Sequence, residues 1–330
     1  MVGQGINGVR ESLRAQQQLL NIEAGNLMRS QIPGSQAVRG TLADTSTVRI
    51  GGKTLPGTAT RLGATSIDFS QGSIQRTGFT TDLAISGKGF FTLFDSKGEF
   101  YYTRDGSFHF DTNGVLVNSQ GLFVASFDHQ TNALEKTSIK VNPVTDALGE
   151  QVLAELEANG AQQAADIATA LGEPLADVTA SLGTLSGAGY VNSFLDGGNT
   201  FYKSNLGQLG DQVLFDREGF VINETRGLKR GNQIALAKFD NEQGLVPGRF
   251  GGNIYKATEA AAPGGIPEYG APGDTSMGLG SIEGQALEQS TSSATPSLVK
   301  MGFLQRNFTA TSKAMTVFLK AWDDLLANIR

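Results

Sequence analysis

The sequence predicts an α+β protein built from two terminal helices, a glycine-rich antiparallel β body and a small inserted α/β domain. Three observations carry this. Apolar residues recur at helical spacing at both ends of the chain. The stretch between them breaks into short β-type runs separated by Gly, Asn and Asp. A central segment then switches back to helical periodicity. Glycine supplies 43 of 330 residues, almost twice the usual share of about 7%, so the body must turn often.

Residues 1–40 form the first segment. Ile6, Val9, Leu13, Leu20, Ala24 and Leu27 step by three, four or seven, which predicts a helix over 3–30 ended by Pro33-Gly34. Residues 41–147 are the first part of the β body. Thr47–Ile50, Leu83–Ser86, Phe90–Phe94, Glu99–Thr103 and Ser107–Phe110 read as strands. The intervening turns carry residues that tolerate positive φ. In Phe108-His109-Phe110, alternation puts both rings on one face and His109 on the other.

Residues 148–203 read as three short helices and a β-hairpin, an arrangement like a winged helix. Val152, Leu153 and Leu156 mark the first helix. Ala165, Ile167 and Leu171 mark the second, and Leu175, Val178, Leu182 and Leu185 the third. The segment holds seven acids and one base, Lys203, a net charge of −6 that is the charge of the whole chain. Its third helix has no Lys or Arg to meet phosphate, which argues against nucleic acid as a partner. The body resumes over 204–292, with 263–281 reading as a Gly/Pro-rich loop.

Residues 293–330 carry the strongest pattern. Met301, Leu304, Phe308, Thr311, Met315, Phe318, Trp322, Leu325 and Ile329 alternate steps of three and four. That is a heptad seam suited to another helix, and helix 3–30 is its natural partner in a coiled-coil layer. Each large side chain buried there is worth about 1.5–3 kcal/mol gross. The expected assembly interface is therefore Ile6, Val9, Leu13, Leu20 and Leu27 with those apolar seam positions.

Chemistry is poorly provided for. The absence of cysteine excludes disulfides and thiolates, and only His109 and His129 could serve as imidazoles. Gly51-Gly52-Lys53-Thr54 ends like a phosphate loop, but the required upstream glycine falls at Thr47 and Pro56 follows. Asp105 and Asp111 flank turns and need no other role. No catalytic site, cofactor or metal is expected. No apolar run approaches the roughly 18 residues needed to cross a bilayer, and Arg10, Glu11 and Arg14 interrupt any signal-type segment.

Several stretches resemble the bacterial flagellar rod and hook axial proteins. They are Gly5-Ile6-Asn7-Gly8 to Asn26-Leu27, the run Asp82 to Phe91, Tyr102 to Phe108, Asn113 to Asn118, and Gly284 to Ser290. The motif residues are Asp82, Gly87, Gly89, Phe90, Phe91, Arg104, Asp105 and Gly106. The resemblance covers about 1–142 and 205–330 and omits the acidic insertion. It implies an axial subunit that polymerises helically, a rod subunit first and a hook subunit as the alternative. A protein-binding module using 148–203 is a further alternative. The implied partners are copies of itself, other flagellar axial proteins and the type III export apparatus. The implied location is the basal body, reached without a cleaved signal peptide and without membrane insertion.

Overall fold

The computed structural model describes residues 2–44, 47–50, 53–56, 60–112, 114–128, 133–139, 147–187, 190–196, 198–205, 213–222 and 233–329. The fold is mixed α+β, with five α-helices and antiparallel strands among those residues. It divides into two compact units, residues 1–72 with 289–330, and residues 73–288.

The first unit holds both terminal helices, α1 (Val2–Arg29) and α5 (Ala294–Ile329), and a β ribbon. α1 stops where Ser30 turns its hydroxyl onto the Leu27 carbonyl at 2.7 Å. Gly34 then takes φ +61°, a left-handed turn open to glycine at little steric cost. The chain continues into Ala37–Asp44, which pairs antiparallel with Thr60–Asp68. α1 lies across this ribbon. A Cβ on Gly40 would stand 2.8 Å from Leu19 Cδ2 and 3.0 Å from Ile22 Cδ1, so glycine sets that close approach.

The line that α1 buries is Gly8, Ser12, Ala15, Glu23 and Asn26. Val9, Leu13, Leu20 and Leu27, the stripe expected from hydrophobicity, stand beside it half-buried. Small and hydrogen-bonding residues line this buried side, while Leu19 and Ile22 meet the ribbon at Gly40. Ser12 there accepts the Thr60 backbone N–H at 3.0 Å.

The second unit is built on an antiparallel sheet in which Phe90–Phe94 pairs with both Phe100–Thr103 and Phe123–Asp128. Leu83, Ile85, Phe91, Leu93, Phe108, Leu116 and Val124 fill its core. His109 is exposed between buried Phe108 and Phe110, as alternation requires. Strands from late in the chain complete the unit. Ser281–Gly284 pairs with Leu83–Ser86, and Ala286–Glu288 pairs with Ile74–Arg76. The expected loop over 263–281 contains a strand, Glu268–Gly270, paired with Leu236–Lys238. Its short length, flanked by glycine and proline, hid it from periodicity.

Within this unit lie α2 (Ala147–Asn159), α3 (Ala164–Leu171), α4 (Leu175–Gly187) and the hairpin Val191–Asp196 with Asn199–Ser204. A two-residue strand, Gln162–Gln163, adds to the hairpin. Val152, Leu153, Leu156, Ile167, Val178, Leu182 and Leu185 form the helices' shared core. Ala165 and Leu175 instead face outward, each sitting in the first turn of its helix. Gly172 caps α3 in the left-handed region, with φ 69°. Ile167 is fully buried. Ile167→Ala should therefore cost about 2–5 kcal/mol, read as a lower urea midpoint for the insertion with little change in near-ultraviolet dichroism from the β body.

Candidate assembly interface and the motif bracing the body

In the first unit the polar clasp begins at Asn26. Its side chain donates to the Val38 carbonyl at 2.8 Å and accepts the Val38 N–H at 2.9 Å, pairing with the backbone as a neighbouring strand would. Just before α5, Ser292 donates to the Asn26 carbonyl at 2.6 Å. Thr291 accepts the Ala37 N–H at 2.8 Å, and its own N–H donates to the Ser35 carbonyl at 3.1 Å. These bonds fix where α5 starts beside the end of α1. Lys300 pairs with Glu23 at 3.3 Å, one turn further along, so the two helices run antiparallel.

On α5 the half-buried positions include Met301, Leu304, Phe308, Thr311, Met315 and Trp322. These are the seam residues read from the sequence, and α5 packs on α1. Phe318 is 45% exposed. The side chains of Ile6, Leu325 and Ile329 lie outside the described ones. Periodicity did not single out a second set, Leu298, Val299, Phe303, Val317 and Leu319, which are exposed. They flank the seam, and a search for one stripe passes over them.

In the second unit the motif residues gather around one buried ion pair. Arg104 and Glu288 are both almost fully buried, with Nη1 and Oε2 3.2 Å apart. Arg104 also donates to the Gly87 carbonyl at 3.0 Å and stacks over the Phe90 ring at 5.3 Å. Burial lowers the Arg104 pKa, opposed by the nearby Glu288 and Glu242 carboxylates. Gly87 and Gly89 take φ of +122° and +120°. Gly106 is required by space, since a Cβ there would stand 1.7 Å from the Leu83 carbonyl oxygen. Phe91 packs edge-on against Phe108 at 5.1 Å. Asp82 accepts the Thr77 hydroxyl. Asp105 accepts the Ser107 N–H at 3.0 Å and an Asn253 amide at 3.0 Å, and burial raises its pKa. The motif's charged groups are thus spent on holding backbone and packing strands.

Residues 84–154 match the family described as flagellar hook protein FlgE/F/G D1 domain. Over this region the chain is similar to the flagellar rod and hook axial proteins. It is 37% identical over 123 residues to the basal-body rod protein FlgG of Borreliella burgdorferi, covering 33% of this chain and 46% of that one. Identity to the hook protein FlgE of Escherichia coli K12 is 47% over 60 residues, 18% of this chain and 15% of that one. A FlgG from Buchnera aphidicola of Baizongia pistaciae matches at 25% over 260 residues, 79% of this chain and 69% of that one. At the higher identities, the chain spans about half the length of the curated rod relatives it matches, 46% and 48%. No helix among the described residues is long and apolar enough to cross a membrane.

The burial of Arg104 beside Glu288 makes its removal costly. Arg104→Met leaves Glu288 charged in a dry site and should cost about 3–5 kcal/mol, while Arg104→Met with Glu288→Leu should recover most of it in urea denaturation. A pH dependence follows from Asp68 in the first unit. Burial raises its pKa, but hydrogen bonds from Ser70 and the Arg39 ion pair at 2.6 Å outweigh this and hold it below the ordinary carboxylate value. A depressed folded pKa stabilises above the unfolded value of about 3.9 and is lost as pH falls through the folded one. Asp68→Asn should flatten the acid limb of the first unit's stability curve below about pH 4, followed by helical circular dichroism.

Proposed function

We propose that this chain is a structural subunit of the flagellar basal-body rod. It polymerises helically through its terminal helices and forms part of the axial drive shaft and export channel. The observation carrying this is the exposed apolar flank of α5, with Val299 and Val317 each 69% and Phe303 65% exposed. α1 packs against the seam and leaves this flank exposed, free for neighbouring copies. A helical polymer needs contacts that do not close on themselves, and a helix with one face taken and another open supplies them.

Two comparisons favour the rod over the hook. The longer rod match takes in 69% of the relative's length. A hook match of similar extent, to FlgE of Helicobacter pylori J99, takes in 34% of that protein. Set aside residues 148–203, and the remainder leaves little room for large outer domains. Under this reading the winged-helix-like insertion is a displayed acidic module, and the paired ends act as a coiled-coil layer. The partners are other flagellar axial proteins and the type III export apparatus. The protein works without a cofactor, without catalysis and without nucleic acid, as mechanical material.

Removing residues 301–330 should abolish incorporation into sedimentable assemblies while the second unit keeps its protease resistance. Normal assembly of that truncated chain would overturn the proposal.

A further inference from the structure

The first unit contains a cavity of about 480 Å³ lined by Glu23, Asn26, Arg39, Asp68, Ser297 and Lys300 among others. Its acids are unequally served. Asp68 is held by Arg39 at 2.6 Å and by the Ser70 N–H at 3.2 Å. Glu23 is only 8% exposed, and Lys300 reaches its Oε1 at 3.3 Å from a side chain that is itself 63% exposed. The other oxygen, Oε2, is enclosed and has no hydrogen-bond partner among the described residues. A buried carboxylate oxygen left unbonded costs free energy that a donor would recover. A carboxylate also turns readily about its last bond, so either oxygen can be offered to the cavity.

A second observation supplies the donor. Arg306, Lys313 and Lys320 recur every seven residues along α5, and all three are exposed. At 1.5 Å per residue they stand about 10.5 Å apart in a row, roughly half a turn round the helix from the seam. None of the three makes an ion pair among the described residues. One chain therefore carries a charge-balanced cavity with one under-satisfied buried carboxylate oxygen, Glu23 Oε2, near the start of α5 and an unpaired cationic row further along the same helix. Two such surfaces on one subunit are complementary head to tail, the heterologous pattern that propagates instead of closing.

We infer that the Glu23 cavity receives a basic side chain from the Arg306–Lys313–Lys320 row of a second copy and so sets the axial register between neighbouring subunits. This rests on the polymer reading above. The incoming ammonium or guanidinium donates to Glu23 and leaves Lys300 free to swing into solvent.

The chain's lack of cysteine makes the test clean. Full-length chains carrying Glu23→Cys are assembled together with chains carrying Arg306→Cys, Lys313→Cys or Lys320→Cys, then oxidised and run without reductant. A dimer band in one mixture, absent when either variant is assembled alone, is the expected result. Assemblies that form but give no mixed dimer with any of the three overturn the cavity assignment alone. Failure of the unmodified chain to assemble under any condition overturns the polymer reading and this inference with it. As a second readout, Glu23→Gln should raise the critical concentration about tenfold at low salt, the scale of one charge-assisted hydrogen bond. The difference should shrink at 1 M salt, where screening reaches about 3 Å. An unchanged critical concentration at low salt counts against the inference.

Discussion

Each unit is closed by residues that return from the far end of the chain, and the rest of the architecture depends on that closure. In the second unit the return is the segment Ser281 to Glu288, which lies against Leu83–Ser86 and Ile74–Arg76. At its end Glu288 meets Arg104, 184 residues earlier in sequence. A pair buried this deeply is a poor source of net stability, because desolvation takes back much of what attraction supplies. What it does impose is discrimination. A slipped register would leave either charge alone in a dry site. Gln285, the residue between the two return strands, adopts φ 58°, the one non-glycine positive φ among the described residues. The turn it makes lets its carbonyl accept the Thr77 N–H at 2.9 Å while the Ala286 N–H donates to the Asp82 carbonyl at 3.2 Å. Local strain there is outweighed by the bonds it makes available.

Closure also explains how the chain accommodates its acidic insertion. α2, α3, α4 and the hairpin pack around Ile167 and Leu182, in an apolar cluster continuous with that of the body. They depart from and return to a body whose ends are tied by strands outside them. Lengthening a connection between anchored ends adds loop entropy only logarithmically. A folded module can therefore be carried at modest cost, provided that the anchoring strands precede and follow it. The insertion's acids are mostly exposed, which keeps its surface apart from a neutral remainder.

The terminal helices solve a different problem. A helix whose apolar residues occupied a single stripe would be satisfied by one partner. α5 has more, a seam turned to α1 and a flank of Val299, Phe303 and Val317 left in solvent. On α1, Glu23 and the Asn26 carbonyl accept hydrogen bonds from Lys300 and Ser292, so the pair is held by hydrogen bonding as well as by bulk. Fixing α5 beside α1 through Asn26, Thr291 and Ser292 presents that flank in one orientation, the condition for repeated identical contacts.

Sequence alone carried much of what repeats over short distances. The three-and-four alternation named Met301, Leu304, Phe308, Thr311, Met315 and Trp322, all half-buried, together with Phe318, which is exposed, and the phenylalanines around His109 named the two faces of their strand. The motif residues from Asp82 to Gly106 were legible as a signature, although their tasks were not. Tertiary structure decided the partners. Nothing near Arg104 marks Glu288 as its counterion, nothing in a helical stripe reveals that α1 turns Ser12 and Asn26 to its crowded side, and the strand Glu268–Gly270 exists because Leu236–Lys238 is there to receive it. The division has a physical cause. Backbone period is dictated by neighbours a few bonds away, whereas burial, ion pairing and steric limits arise only once remote segments are brought within a few ångströms of one another.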